Sequence, residues 1–365
     1  MIKRIAWLRL FATLTVAVFF LQSASAQSTS SFRSPVDDDC NKKGRHFLTL
    51  SLLHENDFFN LTDRQYTSGT LLSAIYNKRG NPGGEPCLSD HVHWGWSAIN
   101  AWIGKDLRQH TFVFALGQQL FTPSFRQGTE ILSDDRPFAG WLFGRWALHG
   151  FGAGRSQTIT LDLGMVGPAA GGESTQNYFH AVDGYERFRG WRNQLRNELG
   201  LLLSSEWREV AWRGQDNALV GHYGGGLGNV ETLLNAGLRW QFGARDLNGF
   251  RMPPSMRAAS PIAPPKTRAA AQKIPAYDGD STPALQAFAG FDLRAVAHNI
   301  FLDGNTWKQS HHVRRRILVA DLSAGFSWRW AGFDFAYTHS LRTREFYGQG
   351  DYHVFGGISI GTTID

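Results

Sequence analysis

Cysteine is nearly absent from this chain: Cys40 and Cys87 are the only two in 365 residues. That excludes a disulfide-dense scaffold and a multi-cysteine metal centre. Neither cysteine has a neighbouring histidine or other evident base, which counts against the alternative of a thiol active site. In an exported chain the pair is expected to form a Cys40–Cys87 disulfide. The Gly-x-Ser-x-Gly match at Gly357-Ile358-Ser359-Ile360-Gly361 falls inside an alternating stretch rather than at a strand-to-helix turn, so it does not read as a nucleophile elbow. Beyond the first two dozen residues there is no apolar run approaching the roughly 20 residues that a bilayer-spanning helix needs.

The start of the chain has the order of a secretory leader. Lys3, Arg4 and Arg9 precede an apolar run from Leu10 to Leu21, and Ala24-Ser25-Ala26 supplies a small-residue cleavage site. Residues 1–26 are therefore read as a signal peptide, and 27–365 as one domain. The leader takes three basic and no acidic residues with it, so 37 − 3 = 34 Lys and Arg face 31 Asp and Glu, and the formal charge falls from +6 to +3. So small an excess gives no support to a nucleic-acid partner.

What is abundant is glycine, at 40 residues, and aromatic side chains, at 13% of the chain, with a mean hydropathy of −0.29. That blend suits a chain in which every other residue faces lipid. Period-two alternation predicts strands near 46–57, 65–77, 109–121, 139–149, 156–166, 194–206, 217–227, 230–243, 285–301, 315–330, 332–345 and 351–364. In the tenth, Ala320, Leu322, Ala324, Phe326, Trp328 and Trp330 alternate with Asp321, Ser323, Gly325, Ser327 and Arg329. A soluble β-sandwich also alternates, but these strands reach or exceed the ~10 residues that cross a membrane. The expected fold is all-β: a 12-stranded antiparallel outer-membrane barrel with a short helix in an extracellular loop.

With the N-terminus in the periplasm, the outward connections are 58–64, 122–138, 167–193 and 302–314. The inward ones are 78–108, 150–155 and 244–284, which places Cys40 and Cys87 on the same side. Residues 244–284, rich in Arg, Pro, Ala and Ser, read as a flexible periplasmic excursion.

Two stretches carry candidate chemistry. Glu55-Asn56-Asp57 ends the first strand, and Thr62-Asp63-Arg64-Gln65-Tyr66-Thr67-Ser68-Gly69 opens the second. An amide, a carboxylate and a hydroxyl side by side at a strand mouth offer oxygen ligands to a hard cation. The third outward loop opens with Gly167-Pro168-Ala169-Ala170-Gly171-Gly172 and continues into a helix-like run over 174–197. It carries Gln176, Asn177, His180, Asp183, Glu186, Trp191 and Gln194. His180 can act as a general base if a carboxylate holds its imidazole. Helical spacing favours Asp183 for that task, while Gly184 can break the helix and reopen the case for Glu186.

Taken together, ENDxF…TDRxYTxG, GPxAGG, Gln176-Asn177, His180, Glu186, Trp191 and Gln194 resemble the LpxR-type outer-membrane lipid A deacylases over residues 55–198, with only the strand rhythm matching beyond. The resemblance implies a calcium-dependent esterase at the cell surface that removes the 3′ acyloxyacyl chain of lipid A, and the barrel is expected to be a monomer. Carried over by residue, it implies that His180 activates the attacking water and Glu186 orients or charge-balances it. Asp57 and Asn56 would bind Ca²⁺, and Thr67 would line the same site. The implied partners are lipid A or lipopolysaccharide and the outer membrane. Substrate phosphate would meet arginines of the outward loops, of which Arg126 and Arg136 are the candidates, with Arg187, Arg189 and Arg192 nearby. The family's usual lysine after the third strand has no clear counterpart. The chain also ends on Thr363-Ile364-Asp365 rather than on an aromatic residue. A passive porin or lipid-binding barrel and an outer-membrane phospholipase are the competing readings.

Overall fold

The computed structural model describes residues 46–60, 64–78, 107, 109–124, 129–151, 154–184, 186–243, 255–257, 259, 284–330 and 332–364. The expected leader, the Cys40–Cys87 pair and Arg126 lie outside the described residues. The chain forms twelve strands: β1 (His46–Asn56), β2 (Gln65–Lys78), β3 (Gln109–Thr122), β4 (Ala139–Phe151), β5 (Arg155–Val166), β6 (Glu198–Arg213), β7 (Asn217–Gly228), β8 (Glu231–Phe242), β9 (Ala284–Asn299), β10 (Leu318–Trp330), β11 (Phe333–Arg342) and β12 (His353–Ile364). Each pairs antiparallel with its neighbours in sequence, and β1 closes on β12. Closure satisfies every strand edge, which an open sheet in lipid cannot do.

Alternation sorts the two faces. On the outside Leu72, Phe114, Leu116, Leu163, Leu201, Leu234, Leu322 and Trp328 are exposed. Such a belt of apolar side chains on a closed barrel is a lipid-facing wall. Aromatics crowd one end of it, where Trp212 approaches Trp240 and Trp328 stacks on Trp330 at 5.8 Å between ring centroids.

The inside is polar and filled. Arg145 holds Asp162 through two hydrogen bonds of 2.7 and 2.8 Å, Arg342 holds Asp321 at 2.8 and 3.1 Å, and Arg208 holds Glu206 at 2.8 and 2.5 Å. Buried charges of this kind are tolerable only when paired and hydrogen-bonded. A piece of the β8–β9 connection enters this lattice. Met256 donates its N–H to Glu55 Oε1 at 3.0 Å, and Arg257 binds Glu206 at 2.7 Å and Asp292. The reading of 244–284 as a periplasmic excursion is corrected for this part. Ser255–Arg257 lies within the barrel, where Arg257 adds a second cationic partner to Glu206, already held by Arg208, and an ion pair to Asp292, already bonded to His222. The remaining space is a cavity of about 140 Å³ lined by Glu55, Tyr66, Arg145, Glu231, Asp292 and Arg342 among others.

Between β5 and β6 lies a helix, α1 (Gly172–Asp183), and after β9 a single helical turn, α2 (Ile300–Asp303). Sequence reading runs the first helix on to 197. It stops at Gly184, whose φ of +75° is the left-handed conformation that glycine adopts without penalty, and whose N–H returns to His180 O. Strand β6 accordingly begins at Glu198 rather than 194, after a 3₁₀ turn over Gly190–Asn193.

Candidate active site

The site lies where β1, β2 and β3 end beside the β1–β2 turn. In β1, Leu53 and Glu55 face inward and are buried, so His54 and Asn56 face outward. Register carries this across the sheet: Asn56 stands opposite Ser68, and Ser68 opposite Leu120. One step further from the turn, His54 stands opposite Thr70, and Thr70 opposite Gln118.

A bulge interrupts β2 between Tyr66 and Ser68. An extra residue at that point re-aims the side chains on either side of it. Tyr66 turns inward, donating its O–H to Glu55 Oε2 at 2.9 Å and packing against Phe121. Thr67 turns to the other face, where its hydroxyl lies 2.7 Å from that of Thr122. Just before the bulge, Gln65 has a φ of +72°, a conformation rarely adopted outside glycine and often found where a site constrains the chain. It is held by Nε2 donation to Ser124 Oγ at 3.0 Å and Asp135 Oδ1 at 3.4 Å.

Asp57 is fully buried at the start of the 3₁₀ turn Asp57–Asn60, and its Oδ2 accepts the N–H of Arg64 at 2.5 Å. Asn56 Oδ1 accepts the N–H of Phe58 at 2.6 Å. The two side chains thus fold the turn back over the ends of β1 and β2.

Helix α1 is strapped across this outer wall. Gln118 Nε2 donates to Ala170 O at 2.7 Å. A Cβ added at Gly140 would stand 3.2 Å from that of Ala170, which shows how closely the strap rides on β4. Beyond it, Gly172 lies against Leu120 of β3 and the ring of Trp191, and Phe179 reaches His54 of β1, with ring centroids 6.4 Å apart. Seven residues of helix at 1.5 Å cover about 10 Å, the width of two strand spacings, so α1 crosses from β3 to β1. Trp191 clamps the strap from behind. Fully buried among Leu120, Phe138 and Phe188, it donates its Nε1–H to Gln176 Oε1 at 2.7 Å.

His180 is carried onto the wall by this helix and is 8% exposed. Its Nδ1 lies 2.6 Å from the main-chain oxygen of Glu186, and its ring meets that of Phe188 edge-on at 4.9 Å. A carbonyl oxygen only accepts, so Nδ1 carries the proton and the basic lone pair is on Nε2. Because Gly184 reverses the chain, Glu186 comes back to the imidazole through its backbone, while its side chain is exposed. The side chain of Asp183, which helical spacing favours, lies outside the described residues.

Arg136 departs from expectation. Its side chain is buried, bonds Glu345 Oε2 at 3.3 Å and stacks over Phe121 at 4.7 Å. Burial pulls its pKa down against the opposing pull of Glu345. The phosphate reading is corrected for this residue: its charge is committed inside the rim. Arg187, Arg189 and Arg192 are exposed on the loop after α1, and Arg192 donates to Thr129 O at 3.1 Å.

Sequence reasoning missed the outward row of His54, Thr70 and Gln118. It was legible in principle, as polar residues at lipid-facing positions of three predicted strands. Among the described residues no group of three or more His, Cys, Asp or Glu side chains gathers as a metal cluster. A cation here would instead rely on the Asp57 carboxylate with neutral oxygens of Asn56 and Thr67, the all-oxygen donor set that suits Ca²⁺.

The family described as "Outer membrane protein LpxR" matches residues 11–364. None of the curated proteins matches the sequence. Among solved structures, LpxR from Salmonella typhimurium superposes with a TM-score of 0.66 at 18% identity, covering 86% of this chain and 99% of that one. The β domain of the Bordetella autotransporter BrkA reaches a TM-score of 0.39 at 9% identity, covering 88% of this chain and 99% of that one. At such identities the Salmonella structure speaks to the fold, and it is the family match over nearly the whole sequence that decides membership. The chain belongs to the LpxR family and is an outer-membrane β-barrel.

Proposed function

We propose that this protein is a lipid A 3′-O-deacylase that hydrolyses the ester holding the 3′ acyloxyacyl chain. The observation that carries the reading is a histidine with a defined tautomer on a helix strapped across the lipid-facing wall. A base in that position serves a substrate whose acyl chains lie along the barrel while its ester meets water. A lumen site would serve neither, and the lumen is filled by paired charges and Ser255–Arg257.

In this mechanism His180 Nε2 takes a proton from a water molecule as its oxygen attacks the ester carbonyl carbon. The charge that develops on the ring is supported at Nδ1 by the Glu186 carbonyl. The resulting imidazolium returns the proton to the departing 3′-oxygen as the C–O bond breaks, leaving a free fatty acid and a hydroxyl on the sugar. Asp57, Asn56 and Thr67 are the residues that would hold Ca²⁺, which when bound supplies stabilisation for the oxyanion. With a single carboxylate among them, the site would be a weak one, because calcium affinity rises with ligand charge. The site faces the cell exterior in this reading, where lipid A is found.

The test is mass spectrometry of lipid A after expression in a host with hexa-acylated lipid A, with and without chelator. Wild type should lose an acyloxyacyl group only when metal is available, and His180→Ala and Asp57→Ala should leave lipid A intact. Intact lipid A from wild type, with fatty acid released from phospholipid, would replace this reading by a phospholipase.

A further inference from the structure

The lipid-facing side of β1–β3 changes character in a single step. Leu52, Leu72 and Leu116 are register partners and form an apolar row. The next row toward the site is His54, Thr70 and Gln118. Hydrogen-bonding and ionisable groups on the outside of a barrel are costly, and where they persist they mark function. The barrel itself does not require them, since the lumen side of the same strands is supplied by Glu55 and Gln119.

The row is organised. His54 Nδ1 lies 3.0 Å from Thr70 Oγ1, and the His54 ring faces Phe179, the residue before His180. Gln118 is taken up in anchoring the strap at Ala170. That leaves His54 and Thr70 beneath the other end of α1, two residues along the strand from Asn56. Alternate residues on a strand are about 6.6 Å apart, so this row stands midway between the leucines and the Asn56 level. In an acylated glycolipid lying on the wall, the group between hydrocarbon and sugar is the carbonyl at the head of an acyl chain.

We propose that His54, positioned by Thr70, forms a hydrogen-bonding subsite for an acyl-chain carbonyl of the substrate, and so fixes which ester reaches His180. With the Thr70 hydroxyl donating to Nδ1, Nε2–H is left to donate to the carbonyl. This rests on the deacylase reading above, and it makes His54 a specificity-determining residue.

The test uses the full-length protein in detergent micelles with hexa-acylated lipid A. His54→Phe keeps a ring against Phe179 and removes the donor. It should raise KM about tenfold, the scale of one hydrogen bond to a neutral group, or scatter cleavage over other acyl positions, with kcat changed far less. Thr70→Val should do the same more weakly, and His54→Gln, which restores a donor, should recover most of the loss. Independently of turnover, adding His54→Phe to His180→Ala should weaken lipid A binding by a similar factor. Heat-modifiable migration in gels checks that each barrel has folded. Unchanged KM, product pattern and binding in both His54→Phe and Thr70→Val would overturn the subsite, as would a fall in kcat alone. If wild type leaves lipid A intact, the deacylase reading fails, and the binding comparison still decides on the subsite.

Discussion

Helix α1 brings His180 to the wall only if it seats closely, and Gly172→Ala tests that seating. The added Cβ would lie 2.8 and 2.9 Å from Trp191 ring carbons and 3.0 Å from Leu120 Cδ2. Real Cβ contacts essentially never come that near. The indole cannot swing away, because it is fully buried, bonded to Gln176 and packed against Phe138. Two effects oppose each other. Alanine is favoured over glycine within a helix by up to about 1 kcal/mol, and by less at the first position, while overpacking costs roughly 1–3 kcal/mol. Overpacking wins, by about 1–2 kcal/mol. The barrel wall is held by ladders on both sides, so the strap lifts. At 1.4 kcal/mol per decade, the seated population and the deacylation rate should fall roughly 5- to 30-fold. The barrel's unfolding temperature should stay where it was. Gly140→Ala, with a nearest approach of 3.2 Å to the Ala170 methyl, should cost less. The assay is lipid A turnover in micelles alongside limited proteolysis of residues 167–197. A Gly172→Ala protein that is as active and as protease-resistant as wild type would refute the strap.

Three further outcomes follow from the interior and the rim. Arg136→Ala should lower the unfolding temperature while leaving KM unchanged, since its guanidinium serves Glu345 inside the rim; a raised KM at unchanged stability would restore a phosphate role. Burial raises the Glu345 carboxyl, but Arg342 and Arg136 outweigh it and hold the pKa below the ordinary value. Such a group contributes stability above the unfolded-state pKa and loses it as pH falls through the folded one. Thermal unfolding followed into acid should therefore show a loss below the ordinary glutamate range that Glu345→Gln flattens. Arg257→Ala should leave a folded barrel, because Asp292 keeps His222 and Glu206 keeps Arg208. With its latch gone, the segment at 255–257 should yield higher ion conductance in planar bilayers than wild type, and equal conductance would show that it does not plug the lumen.

The sequence by itself determined the barrel. Strand count and most boundaries came within a few residues, because lipid outside and charge inside impose a period of two that no turn can shift without exposing arginine to hydrocarbon. It erred where that pressure is absent. The helix-like run over 174–197 ends at Gly184, a break that the glycine permits but that residue order alone does not require. Arg136 reads as a surface cation in a loop, and only a distant Glu345, more than 200 positions on, draws it inward. Ser255–Arg257 looks like linker until Glu206 and Asp292 are known to face one another across the lumen. The site divides in the same way. Asn56, Asp57, Thr67 and His180 stand out as motifs. That Glu186 meets His180 by its carbonyl, that a bulge turns Thr67 outward, and that His54, Thr70 and Gln118 form one row were decided only by the tertiary structure. Register and chain reversal are properties of how strands and loops meet, and local residue order does not encode them.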